Sequence, residues 1–195
     1  MSAQTTNRFS LLLYIQMRRI LLLLLVFGNT LLFAQNKITP CNAIVFVDNT
    51  FAGYIDLFDG EETTFPFAKI RNNPKTEEVM LRVRITGRTA SRFITTITNY
   101  SGESPVVIAN VCIKKERLIT IAKPLDYPMP LYSSPSSSGV PKESVENAFA
   151  YKYHVLDCEG EWLKVLFTDK KGKTISGWMA PEYQCDNIWS SCFGS

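Results

Sequence analysis

The chain has 195 residues, 20% of them charged, with a formal net charge of +3; this excludes collagen, coiled coil and wholesale disorder, and leaves room for one medium domain or two small ones. The positive balance sits at the start: Arg8, Arg18 and Arg19 lie in a first 34 residues with no acidic residue, and from Gln35 onward 18 basic residues face 18 acidic ones. A neutral body removes the electrostatic case for nucleic acid, which needs a basic surface or a dense basic cluster.

Met17-Arg18-Arg19 precedes "ILLLLLVFGNTLLFAQ", a basic region, an apolar core and then small or polar residues. That is the layout of a secretory signal over 1–34, with cleavage expected after Ala34. Gly28, Asn29 and Thr30 interrupt the apolar run, which falls short of the ~20 apolar residues a spanning helix needs. A periplasmic or secreted protein with no stable membrane insertion after cleavage is therefore expected. The first sixteen residues fit either a true start at Met17 or a lengthened basic region. Ile38-Thr39-Pro40, before Cys41, do not resemble a lipobox.

Beyond residue 40 helical periodicity gives way to short β-rich runs: "AIVFV" (43–47), "VMLRVRIT" (79–86), "RFITTIT" (92–98), "PVVIANVCI" (105–113), "YKYHVLDC" (151–158), "EWLKVLF" (161–167) and "ISGWMA" (175–180). Turn material such as "DNTFAG", "NYSGES" and "TDKKGKT" separates them, a pattern of small barrels or sandwiches and not of βαβ units. The proline- and serine-rich stretch 123–144 reads as a linker plus a long first loop of a second unit. The expected division is 35–119 and 120–195.

Strand parity puts Leu163, Val165 and Phe167 on one face of "EWLKVLF", a core face, and Trp162, Lys164 and Leu166 on the other. Gly172 supplies the turn conformation after it, and Ala180-Pro181-Glu182-Tyr183 can make a single tight helical turn. In "LYSSPSS…HVLDCEGEWLKVLF…KKGKTISGWMAPEYQC" an apolar-aromatic pair and a proline-containing loop precede a tryptophan at the head of a strand, then Gly-Trp, then a short turn. That order resembles a bacterial SH3 (SH3b) domain over residues 123–185. "AGYIDLFDGE" (52–61) is similar to the opening of such domains, with Asp56 in place of Asn and Phe58 in place of Arg. The first half then reads as a degenerate copy, with Phe93 set against Trp162, Cys112 against Trp178 and Arg117 against Tyr183. The resemblance implies an all-β fold of two small SH3-like barrels in tandem after the signal peptide. It also implies a shallow groove built by Tyr132, Trp162, Pro181 and Tyr183, with Trp178 packed.

Export permits disulfides, and five cysteines leave at least one thiol unpaired or paired between chains. The turn-prone residues Asn187, Ser190 and Ser191 make Cys185–Cys192 the expected bridge, with Cys158 bonding to either of them as the competitor. Pairing of Cys41, Cys112 and Cys158 stays open. His154 is the only histidine; a Cys–His pair such as Cys112–His154 would supply a nucleophile and its base, but a lone histidine in a strand reads first as a packed or surface residue. No catalytic residue, metal site or cofactor is expected. The expected role is a binding module for peptidoglycan fragments or peptide segments, against the alternative of a structural or partner-docking envelope protein.

Overall fold

The computed structural model describes residues 38–48, 50–72, 81–99 and 104–186. The expected signal segment 1–34 and the Cys192 end of the expected bridge lie outside those residues. Buried and exposed side chains alternate along β1 (Thr39–Val47), β4 (Arg82–Arg88), β10 (Lys152–Glu159) and β11 (Trp162–Thr168), the signature of strands that cover a core on one face. Eight further strands complete the described set: β2 (Gly53–Leu57), β3 (Ala68–Asn72), β5 (Arg92–Asn99), β6 (Val106–Lys114), β7 (Leu118–Ile121), β8 (Met129–Leu131), β9 (Glu143–Val145) and β12 (Thr174–Met179). Lys115–Arg117, Ala148–Ala150 and Pro181–Tyr183 form 3-10 turns. The fold is all-β.

Two successive runs of chain repeat one order of elements. In the first, β1 leads into the two-stranded arm β2–β3, the meander β4–β5–β6, a 3-10 turn and β7. In the second, the end of β7 leads into the arm β8–β9, the additional 3-10 turn Ala148–Ala150, the meander β10–β11–β12, a 3-10 turn and Gln184, which bridges back to Ala122. The runs are not separate bodies. One eight-stranded sheet, β12-β11-β10-β7-β1-β4-β5-β6, carries both meanders. β7 pairs β1 through Leu118 and Ile119 and pairs β10 through Ile119, Thr120 and Ile121. The expected division between 119 and 120 therefore falls inside a strand that closes the first run and opens the second. The described residues accordingly belong to one compact unit, Ile38–Ser195.

The core is continuous in the same way. Val45, Val83, Ile85, Phe93 and Ile113 from the first run share one buried cluster with Leu131, Tyr153, Val155, Leu163 and Met179 from the second. Across the joint, Asn42 and Gly160 exchange backbone hydrogen bonds with Gly160 and Pro40, and Asp157 accepts from Arg88 and Lys115, each at 3.2 Å. A disulfide links Cys41 on β1 to Cys158 on β10. This corrects the competing expectation that Cys158 bonds Cys185 or Cys192, since its sulfur is taken by a cysteine at the far end of the chain. Cys185 is itself disulfide-bonded, and Cys112 is the free, buried thiol. The Cys41–Cys158 bond points to an oxidising compartment. No helix among the described residues is long and apolar enough to cross a membrane.

Candidate functional site

Four aromatic side chains of the second run meet at one place. The chain leaving β8 sets Tyr132 beside Trp178 through two backbone hydrogen bonds of 2.8 and 2.9 Å. That approach depends on Gly177: a Cβ there would lie 2.9 Å from the Leu131 Cβ and 3.2 Å from the Tyr132 carbonyl oxygen. Glycine before tryptophan is thus a steric requirement of seating β8 on β12. Trp162 opens β11 on the face away from Leu163, Val165 and Phe167, and is half-buried where those three are buried. Its ring stands edge-on to Tyr132, centroids 5.4 Å apart and planes at 83°, a favoured geometry for two ring quadrupoles.

The 3-10 turn completes the surface. Pro181 begins it, where the fixed proline φ and missing N–H cost nothing, and Tyr183 ends it half-buried against Tyr132, Trp178 and Ala180. Burial, then the neighbouring phenols of Tyr132 and Tyr127 and the Glu182 charge, push the Tyr183 hydroxyl above its ordinary range; Tyr127 also hydrogen-bonds it. Gln184 donates from Nε2 to the Glu161 carbonyl at 2.7 Å and to that of Met179 at 3.3 Å, tying the turn to the residue just before Trp162. Tyr132, Trp162, Trp178 and Tyr183 are therefore brought together, with Tyr132 and Trp178 both buried and Trp162 and Tyr183 half-buried against them. Pro181 faces a neighbouring depression of about 260 Å³ that Arg84 and Glu161 also line. Sequence reasoning missed Tyr127 and Gln184. Tyr127 lies in the stretch read as linker, and the reach of Gln184 is visible only in the fold.

The first run shuts the corresponding place. Phe58 bridges Cys112 with two backbone hydrogen bonds of 2.9 Å, as Tyr132 bridges Trp178. Phe93 pairs with Ile113 as Leu163 pairs with Met179, and both are buried. The match of Phe93 to Trp162 is thus off by one: Arg92 takes the tryptophan's position. Its guanidinium lies 3.8 Å over the Phe58 ring and donates to Gly60 and to both oxygens of Thr63. Burial raises the Glu61 carboxyl, but hydrogen bonds from Thr89 and Ser91 and the Arg92 charge outweigh it and hold the carboxyl below its ordinary range. The loop from Asp59 to Thr63 is thereby pinned over Arg92 and Cys112.

Cys112 and His154 do not form a pair. β7, β1, β4 and β5 stand between β10 and β6 in the sheet, His154 is exposed on β10 and Cys112 is buried on β6. Burial pushes the Cys112 thiol up, with Arg92 opposing and Glu61 and Asp59 adding to the rise, which disfavours the thiolate. No protein-family model matches the chain, and no curated protein or solved structure matches it.

Proposed function

We propose that this is an exported, non-catalytic binding module that takes peptidoglycan fragments or extended peptide segments in an SH3-type aromatic groove on its second run. The observation that carries the reading is the Tyr132–Trp162 edge contact at 5.4 Å, beside a half-buried Tyr183. A core uses its aromatics fully. Here Trp162 and Tyr183 keep part of their surface in solvent while the buried Tyr132 and Trp178 hold them in place. Flat, pre-organised faces give large contact area to an extended ligand at little cost in conformational entropy. The bond between Cys41 and Cys158 fits a periplasmic or secreted location. The repeated order of arm, meander and 3-10 turn fits two SH3-like units fused through one strand.

Partner docking has its own support in Phe65 and Phe67, 82% and 60% exposed beside the first arm; exposed aromatics so close together mark contact surfaces. Titrating the protein with solubilised peptidoglycan fragments while following tryptophan fluorescence tests the groove. A saturable change that disappears in Trp162→Ala, with the circular dichroism of the fold retained, is expected. A fluorescence signal indifferent to every fragment would transfer the assignment to partner docking.

A further inference from the structure

The first run holds a cleft whose lining positions carry different chemistry in the second run. In the first run it lies between β2 and the turn Lys115–Arg117, has a volume of about 330 Å³, and is lined by Phe51, Tyr54, Asp56, Lys114, Glu116 and Arg117. The bridges Phe58–Cys112 and Tyr132–Trp178 bring the second run into register with it. Pro128 and Pro130 then stand where Tyr54 and Asp56 do, and Ala180 and Tyr183 where Lys114 and Arg117 do. What is proline, alanine and tyrosine in one run is two cations, a carboxylate and an exposed tyrosine in the other.

Those cations touch rings, Lys114 Nζ lying 6.0 Å from the Phe58 centroid, and keep their charge for a ligand. Lys114 and Arg117 are exposed, and among the described residues neither makes an ion pair. The Arg117 guanidinium carbon lies 4.0 Å from the Phe51 ring centroid, a contact that leaves its N–H donors to a ligand. Asp56 is occupied, 3.6 Å from Lys69, and Arg71 lies across from Tyr54 in the arm. Tyr54 is 60% exposed and offers a flat platform at the cleft's rim. Glu116 also lines the cleft, so a dense polyanion is repelled while carboxylates spaced along a chain can sit on Lys114 and Arg117.

We propose that this cleft is a second binding site, for carboxylate-bearing extended peptides, independent of the aromatic groove on the second run. The test uses fluorescence anisotropy of the full chain with a labelled, C-terminally amidated peptide of Glu-Gly-Gly repeats. Its Gln-Gly-Gly counterpart serves as control, and a third peptide carries Gln-Gly-Gly with a free C-terminal carboxylate. The Glu peptide is expected to bind at least about tenfold more tightly than the amidated Gln peptide, about 1.4 kcal/mol, and to weaken as salt is raised. Binding by the third peptide would make the terminal carboxylate a ligand too; its failure would assign recognition to side-chain carboxylates. Lys114→Gln with Arg117→Gln should cost about tenfold, and Lys114→Gln alone, which leaves the Phe51 contact intact, should cost part of it. Trp162→Ala should leave the difference between the Glu and Gln peptides in place. Equal binding of Glu and Gln peptides, no binding of any, indifference to both substitutions, or loss of that difference in Trp162→Ala would each overturn the proposal.

Discussion

Removing the Cys41–Cys158 bond by substituting both residues with alanine tests how the two runs are joined. The bond spans a sequence separation of 117. Closing a loop of that length removes about 16 cal/mol/K from the unfolded chain, about 5 kcal/mol at 25 °C. The native joint does not depend on the bond for its geometry, because the backbone exchange among Pro40, Asn42 and Gly160 and the ion pairs on Asp157 remain. The loss should therefore come chiefly from the freed unfolded chain. Urea unfolding followed by circular dichroism should show a loss of about 4 to 5 kcal/mol with a steeper denaturant slope, since a longer open chain exposes more surface. The transition should stay single, because β7 belongs to both runs. A loss under about 1.5 kcal/mol would refute the loop-closure account. Two separated transitions would refute the account of a shared strand.

Two substitutions probe the groove's two versions. Gly177→Ala should cost about 1 to 3 kcal/mol, because its Cβ meets Leu131 and the Tyr132 backbone in a place with little slack; thermal unfolding together with tryptophan emission would register it, and an unchanged melting temperature would contradict the contact. Glu61→Gln should lower stability at neutral pH and make little difference in acid. The folded-state pKa lies below 4.5, so the carboxylate's contribution is complete above that value and is lost as pH falls through the lowered one. Melting temperatures of both proteins between about pH 6 and pH 3 should converge at the acid end, and a gap of constant size would count against the Glu61 cap.

Sequence pattern showed the strands that bury one face and hid those that do not. "EWLKVLF" alternates because Leu163, Val165 and Phe167 face the core while Trp162 and Lys164 do not. β7 buries Leu118, Ile119 and Thr120 alike, so it has no alternation to detect, and it disappears between a charged turn and a proline-rich stretch. The arms β2–β3 and β8–β9 are short and hold Gly53, Asp56 and Pro130, residues that read as turn. The change of composition after residue 120 marked the start of a loop, not the end of a body. Within the site, the resemblance named Tyr132, Trp162, Pro181 and Tyr183; Tyr132, Trp162 and Tyr183 pack in one cluster with Trp178, while Pro181 lines a neighbouring depression. The register of β5 did not follow from pattern, because Arg92 gives no hint in sequence that it is buried at 8% exposure on a phenylalanine.

A strand held in common also sets an order of events during synthesis. β1 emerges first but finds only β4 to pair with until Leu118 and Ile119 arrive, and β10 has no neighbour on one side until β7 is in place. The first meander can fold as it is made, from local antiparallel pairs. The second is built onto a template that the first has to finish. Such late, long-range pairing slows folding and leaves strand edges open meanwhile, and the bond from Cys41 to Cys158 needs only β10, the first strand of the second meander, to have been made. In this chain the covalent link fastens the opening strand of the first run to the opening strand of the second meander.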